Sequence, residues 1–369
     1  MKHEKGFSLA EVLIACTIML IVMGAVVQTL TDGLHATQAV TLMADTQENL
    51  RGGMNYIVRD LSMAGEGIPQ GGVPITAGTV VWPGTAGKFP ATWTTIPAIA
   101  PGPNLGATTT TSGNPTDTIT LLYADTTLVD NTKVPPAWLS EYPINDTAVC
   151  PAGSVTTSGT SPNLTATLTF DSNACININQ GNTGIHVGDL LLLQGDGTTC
   201  NQQSSQLMSF ACDATSPSSG NILRTVTGVN GSVVTLAPGD AFGLNGGSLP
   251  TGDITATRIW MITYYVSNAN PSAPQLMRQV NLNTANEVAE VIENMQFYYD
   301  ILNPGASPPG LVAPTEQENP AYANLPYIRD VYVQLYARSE NTFTVSNQYI
   351  RNNLVTTVST RGMDFYNEF

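Results

Sequence analysis

The sequence predicts an α+β fold, with one long N-terminal α-helix, apolar over its first half, packed on a C-terminal antiparallel β-sheet domain with long loops. Three observations carry this. Residues 7–30 are apolar except for Ser8, Glu11, Thr17, Gln28 and Thr29. Beyond them, Leu50, Met54, Ile57, Leu61 and Ala64 recur at steps of 4, 3, 4 and 3, the stripe of an amphipathic helix. Downstream, short runs rich in β-branched and aromatic residues alternate with Gly, Pro and Asn.

Composition narrows the class. At 369 residues the chain is one large domain or two ordinary ones, and 42% hydrophobic content is ample for a core. Only 11% of residues are charged, against an ordinary quarter, while Gly 33 and Pro 24 are plentiful. That mixture reads as a loop-rich β protein with a neutral polar surface. The formal charge of −15 repels a phosphate backbone, so no nucleic-acid partner is expected.

The N-terminal run comes first. As a helix, residues 7–30 cover about 36 Å, enough to cross a bilayer. Lys2, His3 and Lys5 precede the run, and the next basic side chain apart from His35 is Arg51. The positive-inside rule therefore puts the N-terminus in the cytoplasm and everything after about residue 30 outside. A conventional signal peptide offers only Thr37-Gln38-Ala39 as a cleavage site, far beyond its apolar core. A plain signal anchor explains the topology. Neither gives Glu11 anything to do, and a carboxylate in hydrocarbon is costly without a partner.

Gly6-Phe7-Ser8-Leu9-Ala10-Glu11 resembles the cleavage signature of type IV prepilins and type II secretion pseudopilins. The resemblance implies that residues 1–6 are a leader, that a prepilin peptidase cuts between Gly6 and Phe7, and that Phe7 is N-methylated. It also supplies a partner for Glu11. In a filament the carboxylate meets the cationic N-terminal amine of a neighbouring Phe7, a docking contact whose register is enforced by the cost of an unpaired buried charge.

The helix is expected over 7–64, about 87 Å, with Gly65-Glu66-Gly67-Ile68-Pro69 stopping it. Glu48, Asn55, Arg59, Asp60 and Ser62 fall off the apolar stripe, and Gly24, Gly33 and Gly52-Gly53 are expected weak points for bending. Residues 65–115 are Gly- and Pro-rich, with scattered Trp82, Phe89 and Trp93. They read as connecting loops with one short strand.

The β-rich domain, 116–369, follows. Strand-like runs are Asp117 to Tyr123, Thr165 to Phe170, Leu190 to Gln194, Leu223 to Thr227, Ser232 to Leu236, Arg258 to Val266, Gln275 to Val280, Glu290 to Tyr299, Asp330 to Ala337 and Tyr349 to Ser359. Asp196-Gly197 and Asn230-Gly231 are hairpin signals. Several blocks, among them ENLRGGMNYIVRDLSMAG (48–65), ITYYVSNANPSAPQLMRQ (262–279) and YIRNNLVTTVSTR (349–361), resemble the PilW-like minor pilins. The stretches 103–115, 151–164 and 196–221 look like insertions and read as solvated loops.

Four downstream cysteines, Cys150, Cys175, Cys200 and Cys212, allow three pairings, and sequence does not choose among them. If the region is exported, near-neighbour bridges Cys150–Cys175 and Cys200–Cys212 are expected. No metal or cofactor motif stands in a credible context. Asp196, Asp213 and Asp240 lack EF-hand spacing, and His186 reads as a strand-start residue rather than a catalytic one. The expectation is a non-enzymatic minor pilin of a type IV pilus. By resemblance it would join other minor pilins and the major pilin in a priming complex, moving from inner-membrane lipid to the filament. The alternatives are a minor pseudopilin of a type II secretion system and a tip adhesin using the inserted loops.

Overall fold

The computed structural model describes residues 8–360 except 83–87, 131–136, 139–153, 159–164, 170–183, 196–219, 245–253 and some shorter stretches. Helix α1 runs unbroken over Leu9–Met63, 55 residues, or about 82 Å. Ala64 caps it by donating its N–H to the Leu61 carbonyl (3.1 Å). Gly65 and Gly67 then turn the chain with φ of 88° and 67°, conformations natural to glycine. The Gly65 N–H donates to the Leu122 carbonyl (2.9 Å), stitching the helix end to the sheet.

Among the described residues the sheets are antiparallel. The largest has seven strands around Ile254–Ser267, which pairs with Leu190–Gly195, Thr118–Ala124 and Gln275–Val280 along successive parts of its length. Gly220–Thr225, Ile99–Gly102 and Asn286–Ala289 extend it. A second sheet is ordered Gly310–Leu311, Ile292–Asn303, Ile328–Phe343, Gln348–Ser359. A third is ordered Gly228–Asn230, Val233–Leu236, Thr165–Thr169, Ser154–Ser158.

The stripe residues Leu50, Met54, Ile57, Leu61 and Ala64 are all buried in the main core, against residues of the first two sheets such as Leu276 and Leu335. The continuous run Leu190 to Leu193 is explained by burial on both faces. Leu190 and Leu192 enter the main core, whereas Leu191 and Leu193 join a separate cluster with Leu168, Val234 and Ala256.

Several expectations need correcting. Among the described residues of 65–115 there are three short strands, Val73–Pro74, Thr95–Ile96 and Ile99–Gly102. Their aromatics are core: Trp82 stacks on Phe89 at 4.3 Å between ring centroids, and Trp93 stacks on Tyr322 at 5.1 Å. Within 103–115, Thr109 is buried and donates its hydroxyl to the Glu293 carbonyl (2.6 Å), so this stretch is not simply solvated. Within 151–164, Ser154–Ser158 is a strand paired with Thr165–Thr169. The run beginning at Glu290 starts its strand only at Ile292, because Val291 takes a φ of 55° between two paired strands. Asn230-Gly231 does turn a hairpin, with Asn230 opposite Val233 and Gly231 at φ 59°. Asp196-Gly197 lies outside the described residues.

The glycine pair also differs from expectation, since α1 is continuous through it. A Cβ on Gly53 would lie 2.9 Å from Leu276 Cδ2 and 3.1 Å from Ala289 Cβ. Gly53 therefore allows close approach of helix to sheet.

Candidate functional site in the N-terminal helix

The helix begins at Ser8, whose extended backbone (φ −75°, ψ 146°) makes it the N-cap. Its hydroxyl accepts from the Glu11 N–H (3.3 Å), and Glu11 Oε2 accepts from the Ser8 N–H (2.9 Å). This reciprocal capping box satisfies two amide donors that an α-helix leaves without carbonyl partners. It also sets the carboxylate at the positive end of the helix dipole. Glu11 thus has a partner within its own chain, which the sequence reading did not assign. Gly6 and Phe7 lie outside the described residues, as do Cys150, Cys175, Cys200 and Cys212.

From Ser8 to Leu34 every residue is exposed. Leu9 is 83% exposed, Leu20 71% and Ile21 67%, an apolar surface far beyond the isolated side chains a soluble protein ordinarily shows. The polar side chains interrupting this surface are satisfied along the helix. Thr17, Thr29 and Thr31 hydroxyls donate to the carbonyls of Leu13, Ala25 and Val27 at 2.7, 2.9 and 2.9 Å, and the Gln28 amide donates to Asp32 (3.2 Å). Such back-bonding removes the main penalty a hydroxyl meets in lipid. α1 is long and apolar enough to cross a membrane. Cys16 is a free thiol on this exposed surface.

The rest of α1 holds the β domain. His35 is the first helix residue with part of its surface covered, and Leu42 the first buried one. The anchorage centres on Asp60, which sequence periodicity puts off the apolar stripe but which is fully buried. Its carboxylate accepts from the Tyr264 hydroxyl (2.5 Å) and Arg278 Nε (2.6 Å) through Oδ2, and from Arg59 Nε (3.2 Å) through Oδ1. Burial first, then the Asp60 charge, pushes the Tyr264 phenol well above its ordinary value of 10.0, so it remains a donor. The same two causes push nearby Tyr123 up to about 12.

Two further ion networks brace the domain. Arg258, buried, pairs with Asp125 and with Asp189 (3.3 Å) and donates to the Gly184 carbonyl (2.6 Å). Asp189 also accepts from the His186 N–H (2.8 Å), which makes the His186 segment the turn before Leu190. Glu293 pairs with Arg338 (3.5 Å) and Arg351 (2.8 Å) beside a cavity of about 410 Å³ that Thr109, Asn294 and Tyr336 also line. Asp196, Asp213 and Asp240 lie outside the described residues.

Residues 1–27 match the family model of the prokaryotic N-terminal methylation motif. No curated protein and no solved structure matches the chain. The motif indicates a protein of the type IV pilin or pseudopilin kind, and implies processing by prepilin peptidase and assembly with other pilins. Together with the long apolar helix it supports membrane anchoring before assembly into a pilus.

Proposed function

We propose that the chain is a minor pilin that takes part in type IV pilus assembly, working by association and not by catalysis. The observation that carries this reading is the division of α1. Residues 9–34 present an apolar surface with internally satisfied polar groups, while 35–63 are built into the β domain. A surface of this kind suits lipid before assembly and the apolar helices of other subunits afterwards.

In this reading the leader 1–6 is removed between Gly6 and Phe7, and the new amine of Phe7 is methylated. Glu11 then docks on the Phe7 amine of a neighbouring subunit. A carboxylate accepts several hydrogen bonds, so the cap to Ser8 and a neighbour's ammonium are compatible. The N-terminus faces the cytoplasm, and the β domain stands outside with other minor pilins and the major pilin as partners. The blocks similar to PilW-like minor pilins favour a pilus over a secretion system.

The test is the mass and sequence of the mature N-terminus from membranes, with and without prepilin peptidase. N-methylated Phe7 that depends on the peptidase is the expected result. An intact Met1, or a start near Val40, would sink the reading.

A further inference from the structure

Strands Ile328–Phe343 and Gln348–Ser359 form a long hairpin packed along α1, and its tip ends at a particular height on the helix. The Thr344 hydroxyl donates to Gln38 Oε1 (2.7 Å), which leaves its oxygen to accept from His35 Nδ1–H (3.1 Å). The His35 ring also meets Phe343 edge-on at 6.2 Å between centroids. The turn itself is closed by the Asn347 N–H donating to the Phe343 carbonyl (2.8 Å), with Asn347 at φ 51°. The tip is therefore a defined turn fixed to α1 at residues 35 and 38.

That height matters. Residues 9–34 extend about 39 Å along α1, close to the ~40–45 Å of a whole bilayer with its headgroups. His35 lies five residues beyond Leu30, the last residue of the apolar run, hence about 7–8 Å past it. This is the outer edge of the headgroup layer, which is about 5–7 Å deep on each side. The tip is also chemically suited to that layer. No charged residue occurs from Asn341 to Ile350, and Val345, at the apex, is 62% exposed.

We propose that the hairpin tip 343–347 rests in the lipid headgroup layer, with Val345 as its apolar contact, so that the Thr344 contacts to His35 and Gln38 set how deep α1 sits. The partner is a phospholipid surface. The argument rests on residues 9–34 crossing the bilayer, and continuity with that span identifies lipid as the occupant. A turn with one apolar side chain contributes only a small share of binding, so its role is depth and tilt while the helix supplies the anchorage.

The test uses the full chain in vesicles of phosphatidylethanolamine and phosphatidylglycerol, with a photoreactive benzoylphenylalanine replacing Val345. The control carries the same group at Val187, which is equally exposed at 62% and lies in the turn before Leu190. Lipid adducts at 345 and not at 187 are expected. Adding Thr344→Val should lower the adduct yield at 345 several-fold. A carbonate-resistant chain with no lipid adduct at 345, or with adducts only to a second copy of the chain, would overturn the proposal. So would a yield that Thr344→Val leaves unchanged. Release of the chain by carbonate would refute the span itself and take the proposal with it, an outcome separable from the others.

Discussion

Asp60 of α1 and Tyr264 of the central sheet, 204 residues apart in sequence, share a buried hydrogen bond of 2.5 Å. Arg278 closes on the same carboxylate oxygen from the neighbouring strand. Helix and sheet are thus joined by a charge as well as by the apolar stripe. Burying a charge is costly, so such a group is held by the completeness of its partners.

Asp60→Ala removes the carboxylate to which Arg278 and Tyr264 both donate, leaving Arg278 Nε with the Tyr264 oxygen at 3.2 Å. The expected loss is about 3 kcal/mol, at the low end for a broken buried pair, because the Arg278 side chain keeps 18% of its surface exposed. Denaturant unfolding in detergent, followed by tryptophan fluorescence, measures it. Asp60→Leu combined with Arg278→Met should recover most of the loss. A loss in Asp60→Ala within the noise of a surface substitution would mean that the carboxylate is not desolvated.

Gly52 and Gly53 separate packing from propensity. A Cβ at Gly52 meets only the Val288 carbonyl at 3.9 Å, whereas one at Gly53 meets Leu276 at 2.9 Å. Gly52→Ala should raise stability by up to about 1 kcal/mol through helix propensity. Gly53→Ala should lower it by about 1–2 kcal/mol, overpacking outweighing the same gain. Equal effects at both positions in the same unfolding experiment would contradict the close approach.

The phenols set an alkaline limit. Burial and Asp60 raise Tyr264, and burial and Asp117 raise Tyr299, above the ordinary 10.0. A raised folded value means that the unfolded chain releases these protons first. Their contribution to stability is whole below pH about 10 and falls as pH rises toward the folded values. Absorbance at 295 nm should show these tyrosines titrating only as the protein unfolds, and Tyr264→Phe should soften the alkaline loss.

The two roles of Glu11 can be parted. Glu11→Gln keeps a side-chain oxygen for the Ser8 N–H but removes the charge. Its helix start should survive, as judged by far-UV circular dichroism, while recovery in sheared pili falls sharply. Ser8→Ala removes one of the two capping bonds, costing about 1 kcal/mol at the helix end, and should leave recovery in pili largely intact. The reverse pattern would make Glu11 a cap alone.

The helix was legible because period 3.6 is strong over a long element: the stripe from Leu50 to Ala64 is buried where the spacing put it. The long strands around Ile262, Phe297 and Val333 were legible by a different signal, their runs of β-branched and aromatic residues. Asp60 was not, since its burial depends on Arg278 and Tyr264, which no local pattern links to it. The short strands at 73–102 escaped because two to four residues with Pro and Gly carry no alternation. The capping box was written in Ser8-Leu9-Ala10-Glu11, yet its setting in an apolar run drew attention to the charge instead of the spacing.

The unbroken hydrogen-bond ladder of α1 has a mechanical consequence. A pull on the projecting end runs along one stiff rod, with no hinge on the way, into the stretch where the hairpin strands lie alongside it. The β domain is thereby loaded mainly in shear, many contacts sharing the tension at once, and not peeled away contact by contact. Sideways load acts differently. The projecting segment is then a lever about 39 Å long, and the Thr344 contact at Gln38 and His35 is its fulcrum, the first place where bending torque reaches the folded body.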